Sequence, residues 1–265
     1  MGRWHLFEFE DLRWFPPFLR NYETDFLRFL SSKTGMFNPA IPVINRGLKS
    51  TSTDVIIELG SGGGGPILSL LPKLLEKHPR LQVYLTDLYP NISAFEMLKE
   101  RSKSIHYIKS PVDIRKIPGN LSGLRTLFLI FHHFKPEEAR EILREAVRGH
   151  KPIAIFEGQE RSIPSIIAML LSPLTVLVTT PFIGPFKVGR IIFTYFIPIV
   201  PLIIMWDGVV SSLRTYSIKE MQEMISTVDN ANEFKWEIGR KRSGPGVVLY
   251  LLGIPKSPAT PPSEN

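Results

Sequence analysis

The chain of 265 residues contains no cysteine. That absence excludes disulfides, thiolate zinc sites and cysteine nucleophiles together. Charge is missing in two places: none falls between Arg161 and Lys187, and none between Arg190 and Asp207. The N-terminus lacks the unbroken apolar stretch of a secretion signal, because Glu8, Glu10, Asp11 and Arg13 interrupt it. A basic-aromatic platform is also lacking. The net charge is +7, but Lys and Arg are scattered along the chain, so nucleic acid is a poor candidate partner. An anionic membrane surface suits that charge at least as well. No metal is assigned, and the cytoplasm is the expected compartment.

What is present is concentrated in one stretch, Asp54-Val55-Ile56-Ile57-Glu58-Leu59-Gly60-Ser61-Gly62-Gly63-Gly64-Gly65-Pro66. Val55, Ile56 and Ile57 suit a buried strand, and the glycines leave almost no side chain at the turn that follows. A ligand can then lie against bare backbone, with the N–H groups of the next helix pointing at it. Glu58, at the strand end, would repel a pyrophosphate and suits a cationic ligand.

Around this motif the pattern alternates strand and helix. Strands are expected at Val55–Leu59, Gln82–Thr86, His106–Ser110, Thr126–Phe131 and Ile153–Phe156. Ile67, Leu70, Leu71, Leu74 and Leu75 mark one helix face after the glycine turn. Pro136 opens another helix, with Glu137 and Glu138 at its positive end, a buried face of Ala139, Ile142, Leu143, Ala146 and Val147, and Arg148 and Gly149 at its close. Alternation of this kind argues for an α/β fold, a parallel sheet with helices on both faces. Near the C-terminus, Ser217 and Glu220 form a capping box for a helix buried through Met221, Met224, Ile225 and Val228. Phe234, Trp236 and Ile238 alternate as a half-exposed strand, and Val247–Leu252 supplies the last one after a turn at 242–246.

Five segments result. Residues 1–50 are helical and rich in aromatics; their helix either packs on the main sheet or forms a lid. Residues 51–161 form the core, 162–206 an apolar insert, 207–254 the rest of the core, and 255–265 a disordered tail. The insert is broken by Pro164, Pro173, Pro181, Pro185, Pro198 and Pro201, with Lys187 and Arg190 at its joint. Three readings stand for it: a greasy cap, a hairpin lying on or dipping into a membrane, or two spans. In the hairpin reading Lys187 and Arg190 meet anionic head groups.

The glycine stretch resembles motif I of the class I S-adenosylmethionine (SAM)-dependent methyltransferases, through Glu58, Gly60, Gly62 and Gly64. The same residues satisfy the dinucleotide fingerprint through Gly60, Gly62 and Gly65, so an NAD(P)-dependent oxidoreductase remains the rival reading. A non-catalytic, membrane-associated SAM-binding protein is a further alternative. The methyltransferase resemblance implies a Rossmann-like seven-stranded sheet with SAM as cofactor. It implies SAM contacts from Glu58, Gly60, Ser61, Gly62 and Gly64, from Asp87 on the ribose diol, from Leu88 against the adenine, and from Asp113 at the adenine amine. Aspartates at strand ends also serve as caps, Asp87 for a helix at Asn91–Arg101 and Asp113 for a turn before Pro118. Thr126–Phe134 resembles the family's fourth strand, which often ends in paired histidines. That places His132 beside the cofactor, and His133 and Glu157 near the transferring methyl, with His133 a candidate general base. Trp206–Ser217 and Trp14-Phe15-Pro16 resemble a bacterial group of class I methyltransferases with an apolar insert after the fifth strand. There Asp207 and Arg214 either bind substrate or pair with each other to cap the insert. The implied acceptor is a small molecule, apolar or lipid-like in view of the insert.

Overall fold

The computed structural model describes residues 1–51, 54–244 and 246–256. Seven strands form one sheet in the order β3-β2-β1-β4-β5-β7-β6. β1 (Val55–Leu59), β2 (Gln82–Thr86), β3 (Ile105–Tyr107), β4 (Leu124–Phe128) and β5 (Ile153–Glu157) run parallel. β7 (Gly246–Pro255) lies antiparallel between β5 and β6 (Phe234–Ser243). The strand order reverses between β1 and β4, which opens a crevice at their carboxyl ends.

Successive side chains of a strand point to opposite faces, and both faces here are covered. Ile56, Val83, Leu85, Leu124 and Phe128 pack with α2 (Ile41–Ser50), α3 (Ile67–Leu75) and α4 (Ile92–Arg101) through Ile44, Leu48, Leu70, Leu74, Phe95 and Leu98. Ile57, Leu59, Leu127 and Ile155 face the other way. They meet α5 (Pro136–Arg148) through Ile142, Leu143 and Ala146, and α10 (Ile218–Ser226) through Met221 and Met224. The expected capping box holds, Glu220 accepting the Ser217 N–H at 2.8 Å, and α5 carries another, in which Glu138 accepts the Lys135 N–H at 3.1 Å.

A third core joins the N-terminus to the insert. The long helix α1 (Pro17–Thr34) packs Leu19, Tyr22 and Phe26 against Val176, Ile183, Val200 and Ile203. It therefore covers the insert helices rather than the main sheet; α2 is the N-terminal helix that lies on the sheet. The insert folds as α6 (Ile163–Leu170), α7 (Ser172–Thr179), α8 (Val188–Ile191), a π-helical turn at Ile192–Phe196, and α9 (Ile199–Arg214), which continues past residue 206. Among the described residues no single helix is long and apolar enough to cross a membrane. Two pairs are so only together, and they bend by 42° and 79° at their breaks.

Lys187 and Arg190 do not face outward as a pair of head-group contacts. Both bond Asp25 Oδ2 of α1, at 2.7 and 2.9 Å, and Arg190 is 2% exposed. Its second nitrogen donates to the carbonyls of Ile183 and Pro185. A buried guanidinium needs such partners, and α1 supplies the carboxylate.

Strand boundaries differ from the sequence reading at β3, β4, β5 and β7. β3 is short and starts earlier than His106–Ser110. β4 starts at Leu124 and stops at Phe128, because Leu129 takes a positive φ of 55° and the chain enters a 3-10 turn at Phe131–His133. The apolar run continues past the strand because Phe131 packs against the Tyr216 ring. Pro255 closes β7 and the Lys256 N–H bonds the Glu233 carbonyl at 2.8 Å, so the tail does not begin at 255. The remainder of that segment, 257–265, lies outside the described residues, as does Pro245 in the expected turn.

Candidate active site

The loops at the carboxyl ends of β1, β2 and β4 enclose a cavity of about 390 Å³, roofed by the N-terminal residues Glu10, Asp11, Arg20, Asn21 and Thr24. α1 thus lines the cavity with one face while its apolar face packs on the insert.

On the floor, the turn after β1 brings Gly60, Ser61, Gly62 and Gly63 to the cavity. Gly62 has φ of 53°, and a Cβ there would stand 3.4 Å from Thr24 across the opening. Gly64 does not line the cavity. A Cβ there would press into Leu98 and Leu68, so this glycine serves the packing of the turn. Ser61 contributes backbone only. Its hydroxyl donates to the Glu58 carbonyl at 3.1 Å and accepts the Thr86 N–H at 3.1 Å, stapling the turn to β2.

Glu58 is 1% exposed at the end of β1 and accepts a hydrogen bond from the Thr126 hydroxyl on β4. Burial raises its carboxyl to about 8, against the lowering effect of that bond. It is a neutral acid at neutral pH until a cation arrives. Asp87, one strand over, accepts the Gly62 N–H at 2.7 Å and the Tyr89 N–H at 2.8 Å. It does not cap α4; Asn91 does, accepting from Ala94 at 3.2 Å. Burial raises Asp87 above the usual carboxylate range despite those two N–H donors.

Leu88, Ile114 and Ile130 give the cavity apolar walls. Asp113 lies on the wall too, but Arg115 holds both its oxygens, at 3.0 and 2.7 Å, and its carbonyl accepts the Lys116 N–H. It therefore does close a turn, and an adenine amine would share its carboxylate with Arg115.

The paired histidines part company. His133 lines the cavity, whereas His132 is buried behind it, its Nδ1 2.8 Å from Glu157 Oε2 and its backbone N–H donating to Glu157 Oε1 at 3.0 Å. Glu157 thus fixes a histidine rather than facing the cavity. His133 Nδ1 lies 2.8 Å from Asp11 Oδ1, and its Nε2 lies 3.2 Å from Glu10. Burial opposes charge on His133, yet Glu8, Asp11 and Glu10 outweigh it and hold the imidazole well above its ordinary range. Both ring nitrogens of His133 thus face carboxylates, Nδ1 that of Asp11 and Nε2 those of Glu10 and Glu8.

Asp207 and Arg214 do not pair with each other. Asp207 accepts the N–H groups of Phe9 and Glu10 at 2.9 and 3.3 Å. Arg214 donates to the Leu6 carbonyl and to Asp11, both at 2.7 Å. Together they strap residues 6–11 across the strand ends, and neither Asp207 nor Arg214 lines the cavity. The strap carries the site residues that sequence reasoning missed: Glu8, Glu10 and Asp11. Their signal was present as acidic residues in an aromatic-rich segment, but it served there only to exclude a secretion signal.

The sheet order with an antiparallel β7, and the glycine turn at its switch point, decide the architecture. The architecture is the Rossmann-like seven-stranded sheet that the methyltransferase resemblance implies. No family model matches the chain, and neither does any curated protein. Several solved structures resemble it at low identity. An O-methyltransferase family protein from Burkholderia thailandensis is 15% identical, with 84% of this chain and 57% of that one covered and a TM-score of 0.47. Human N-acetylserotonin methyltransferase in complex with SAM is 14% identical, with 89% and 57% covered and a TM-score of 0.47. Magnesium protoporphyrin IX methyltransferase from Synechocystis, with bound S-adenosylhomocysteine (SAH), is 12% identical, with 85% and 84% covered and a TM-score of 0.48. The chain spans little more than half the length of the first two. The reading of the site rests on this chain's own residues.

Proposed function

We propose that the chain is a SAM-dependent methyltransferase acting on an apolar or lipid-like acceptor at a membrane surface. The observation that supports the cofactor is the shared wall of the cavity, where Glu58, the bare Gly62 backbone and Asp87 follow one another. A ligand with an ammonium at one end and a diol beyond it complements these groups. Glu58 ionises as the ammonium arrives, and each Asp87 oxygen keeps a lone pair for a ribose hydroxyl. A pyrophosphate would instead meet two carboxyl groups, which disfavours the dinucleotide reading.

Bound SAM would supply an electrophilic sulfonium methyl, which an acceptor lone pair held in line could take as the carbon–sulfur bond breaks and SAH is released. With both ring nitrogens of His133 facing carboxylates, the reading rests on proximity and alignment more than on proton removal. An acceptor that loses a proton gives it to water.

The acceptor class is supported by the apolar surface. Phe182 (72%), Phe186 (71%) and Phe196 (79%) are exposed on the insert, along with Leu174, Val178 and Leu202. Exposed apolar area on that scale marks an interaction surface. An all-apolar groove of about 370 Å³, lined by Phe9, Trp14, Phe15, Leu19, Ile199 and Leu202, runs beside the strap whose next residues, Glu10 and Asp11, line the cofactor cavity. An acyl chain in that groove would present its head toward the strap.

Incubation with tritiated-methyl SAM and a fractionated extract tests this, scoring lipid, small-molecule, protein and nucleic-acid fractions separately. Label in the lipid fraction, with SAH release, is expected. Label confined to polar acceptors would remove the lipid reading, and SAM binding without turnover would make the chain a binding protein.

A further inference from the structure

We infer that Glu8, His132 and His133 form a binding site for a divalent first-row transition-metal ion, beside the proposed methyl-transfer cavity. One carboxylate oxygen and one ring nitrogen from each histidine lie within 4.8 Å of one another. His132 Nε2 is 3.7 Å from Glu8 Oε1, and His133 Nε2 is 3.5 Å from Glu8 Oε2. Two ligand atoms on one tetrahedral ion, at about 2.0–2.1 Å each, stand roughly 3.3–3.4 Å apart. Only small side-chain movements separate the observed spacing from a coordination shell.

The surroundings of the imidazoles point the same way. Each histidine directs Nδ1 at a carboxylate, His132 at Glu157 and His133 at Asp11, both at 2.8 Å. In metal sites a carboxylate in that position fixes the tautomer and leaves Nε2 free to ligate. Here both Nε2 atoms converge on Glu8.

The independent observation is a set of buried polar atoms with nothing bonded to them. Glu8 is 0% exposed and His132 2%, yet neither Glu8 oxygen nor His132 Nε2 has a hydrogen-bond partner. Arg214 Nη1 stands 3.1 Å from Glu8 Oε1 without the alignment of a hydrogen bond. Leaving three such atoms unsatisfied is costly, and a cation between them satisfies all three. Carboxyl groups also outnumber cations: Glu8, Glu10, Asp11 and Glu157 face two imidazoles and Arg214.

Two imidazole nitrogens with a carboxylate favour zinc, cobalt, nickel or iron over magnesium and calcium, which prefer all-oxygen shells. Glu10 Oε1, 3.2 Å from His133 Nε2, is placed to be a fourth ligand. Glu10 and His133 line the cavity, which gives the ion an entry path and brings it to the edge of the acceptor's space. Sequence spacing hides the site, because Glu8 comes from the strap and the histidines from the turn after β4.

The test uses the full-length, tag-free chain stripped with a chelator and titrated with Co²⁺ in the absence of SAM, so that it does not depend on the cofactor assignment. One equivalent of Co²⁺ should bind, with visible absorption of a nitrogen–oxygen site, displaced by Zn²⁺ and indifferent to excess Mg²⁺. Glu8→Gln and His132→Gln each disable a proposed ligand and should weaken binding by at least the roughly 10–100-fold that loss of an outer-shell partner costs. Asp54→Asn, far from the cluster, should leave binding unchanged. If the His132 variant fails to fold, X-ray absorption of the Zn²⁺-loaded wild-type chain decides: two imidazoles in the shell support the site. No binding, affinity unaltered in folded variants, or a shell without imidazole would overturn it and leave a protonated histidine cluster.

Discussion

Asp87 accepts the N–H of Gly62 at 2.7 Å, tying the end of β2 to the glycine turn that follows β1. That one bond joins the two parts of the cavity wall that the proposed cofactor would touch at opposite ends.

Asp87→Ala removes the acceptor for two backbone N–H groups and for the ribose. A charge-assisted hydrogen bond contributes about 1.5–3 kcal/mol, so SAM affinity should fall roughly ten- to a hundredfold. Isothermal titration checks this, and undiminished affinity would end the assignment of Asp87 to the ribose.

Gly62→Leu places a branched side chain at a positive φ, at the mouth of the cavity opposite Thr24. SAM binding should be lost. The melting temperature should fall only modestly, since open space rather than core surrounds the new Cβ. Differential scanning fluorimetry with and without SAM reads both effects; a retained SAM-induced shift would contradict the placement.

Glu58 links binding to pH. Its carboxyl titrates at about 8 in the folded, ligand-free chain, against 4.5 when free. A raised value means that the stability contributed by protonated Glu58 is complete below about 4.5 and lost as pH rises through 8. Glu58→Gln should therefore melt higher than the wild type at pH 9, with the two converging toward acid pH. An ammonium ligand favours the ionised form, so SAM binding at pH 7 should release about one proton per ligand. Calorimetry in buffers of different ionisation enthalpy measures that release, and none is expected from Glu58→Gln.

Asp25→Ala leaves the buried guanidinium of Arg190 without its carboxylate. Breaking a buried pair in this way costs about 3–5 kcal/mol. Thermal unfolding should show a large loss, and Lys187→Ala, at a more exposed partner, a much smaller one. Equal, small effects would mean that α1 and the insert do not depend on this junction.

Much of the sheet was legible because buried parallel strands and amphipathic helices carry their own periodicities. β1, β2, the α5 face and the Ser217–Glu220 capping box appear where the pattern put them. The end of β4 was not legible, since Leu129 leaves the strand by a backbone turn while the side chains stay apolar. Glu58, Gly62, Asp87 and Leu88 were legible as cavity residues because they sit at strand ends next to a glycine turn. The partners of His133, Asp207 and Arg214 were not. Glu8, Glu10 and Asp11 reach them from the other end of the chain, and no local spacing encodes a contact over that separation. The same holds for Asp25, whose bonds to Lys187 and Arg190 join α1 to a distant part of the chain.

Flotation with anionic liposomes examines the insert. The wild-type chain should float in part, and Phe182→Asp with Phe196→Asp should abolish flotation while leaving SAM affinity unchanged. Those rings are exposed and lie outside the cavity. Flotation insensitive to both changes would contradict the membrane-facing role of this surface.

The central claim is that the cavity at the β1–β4 switch point takes SAM, and ligand titration of the wild-type chain addresses it most directly. SAM and SAH should each bind at one site per chain with micromolar affinity, and NADH should give no heat. NADH binding with no response to SAM would contradict the account and make the glycine turn a dinucleotide site.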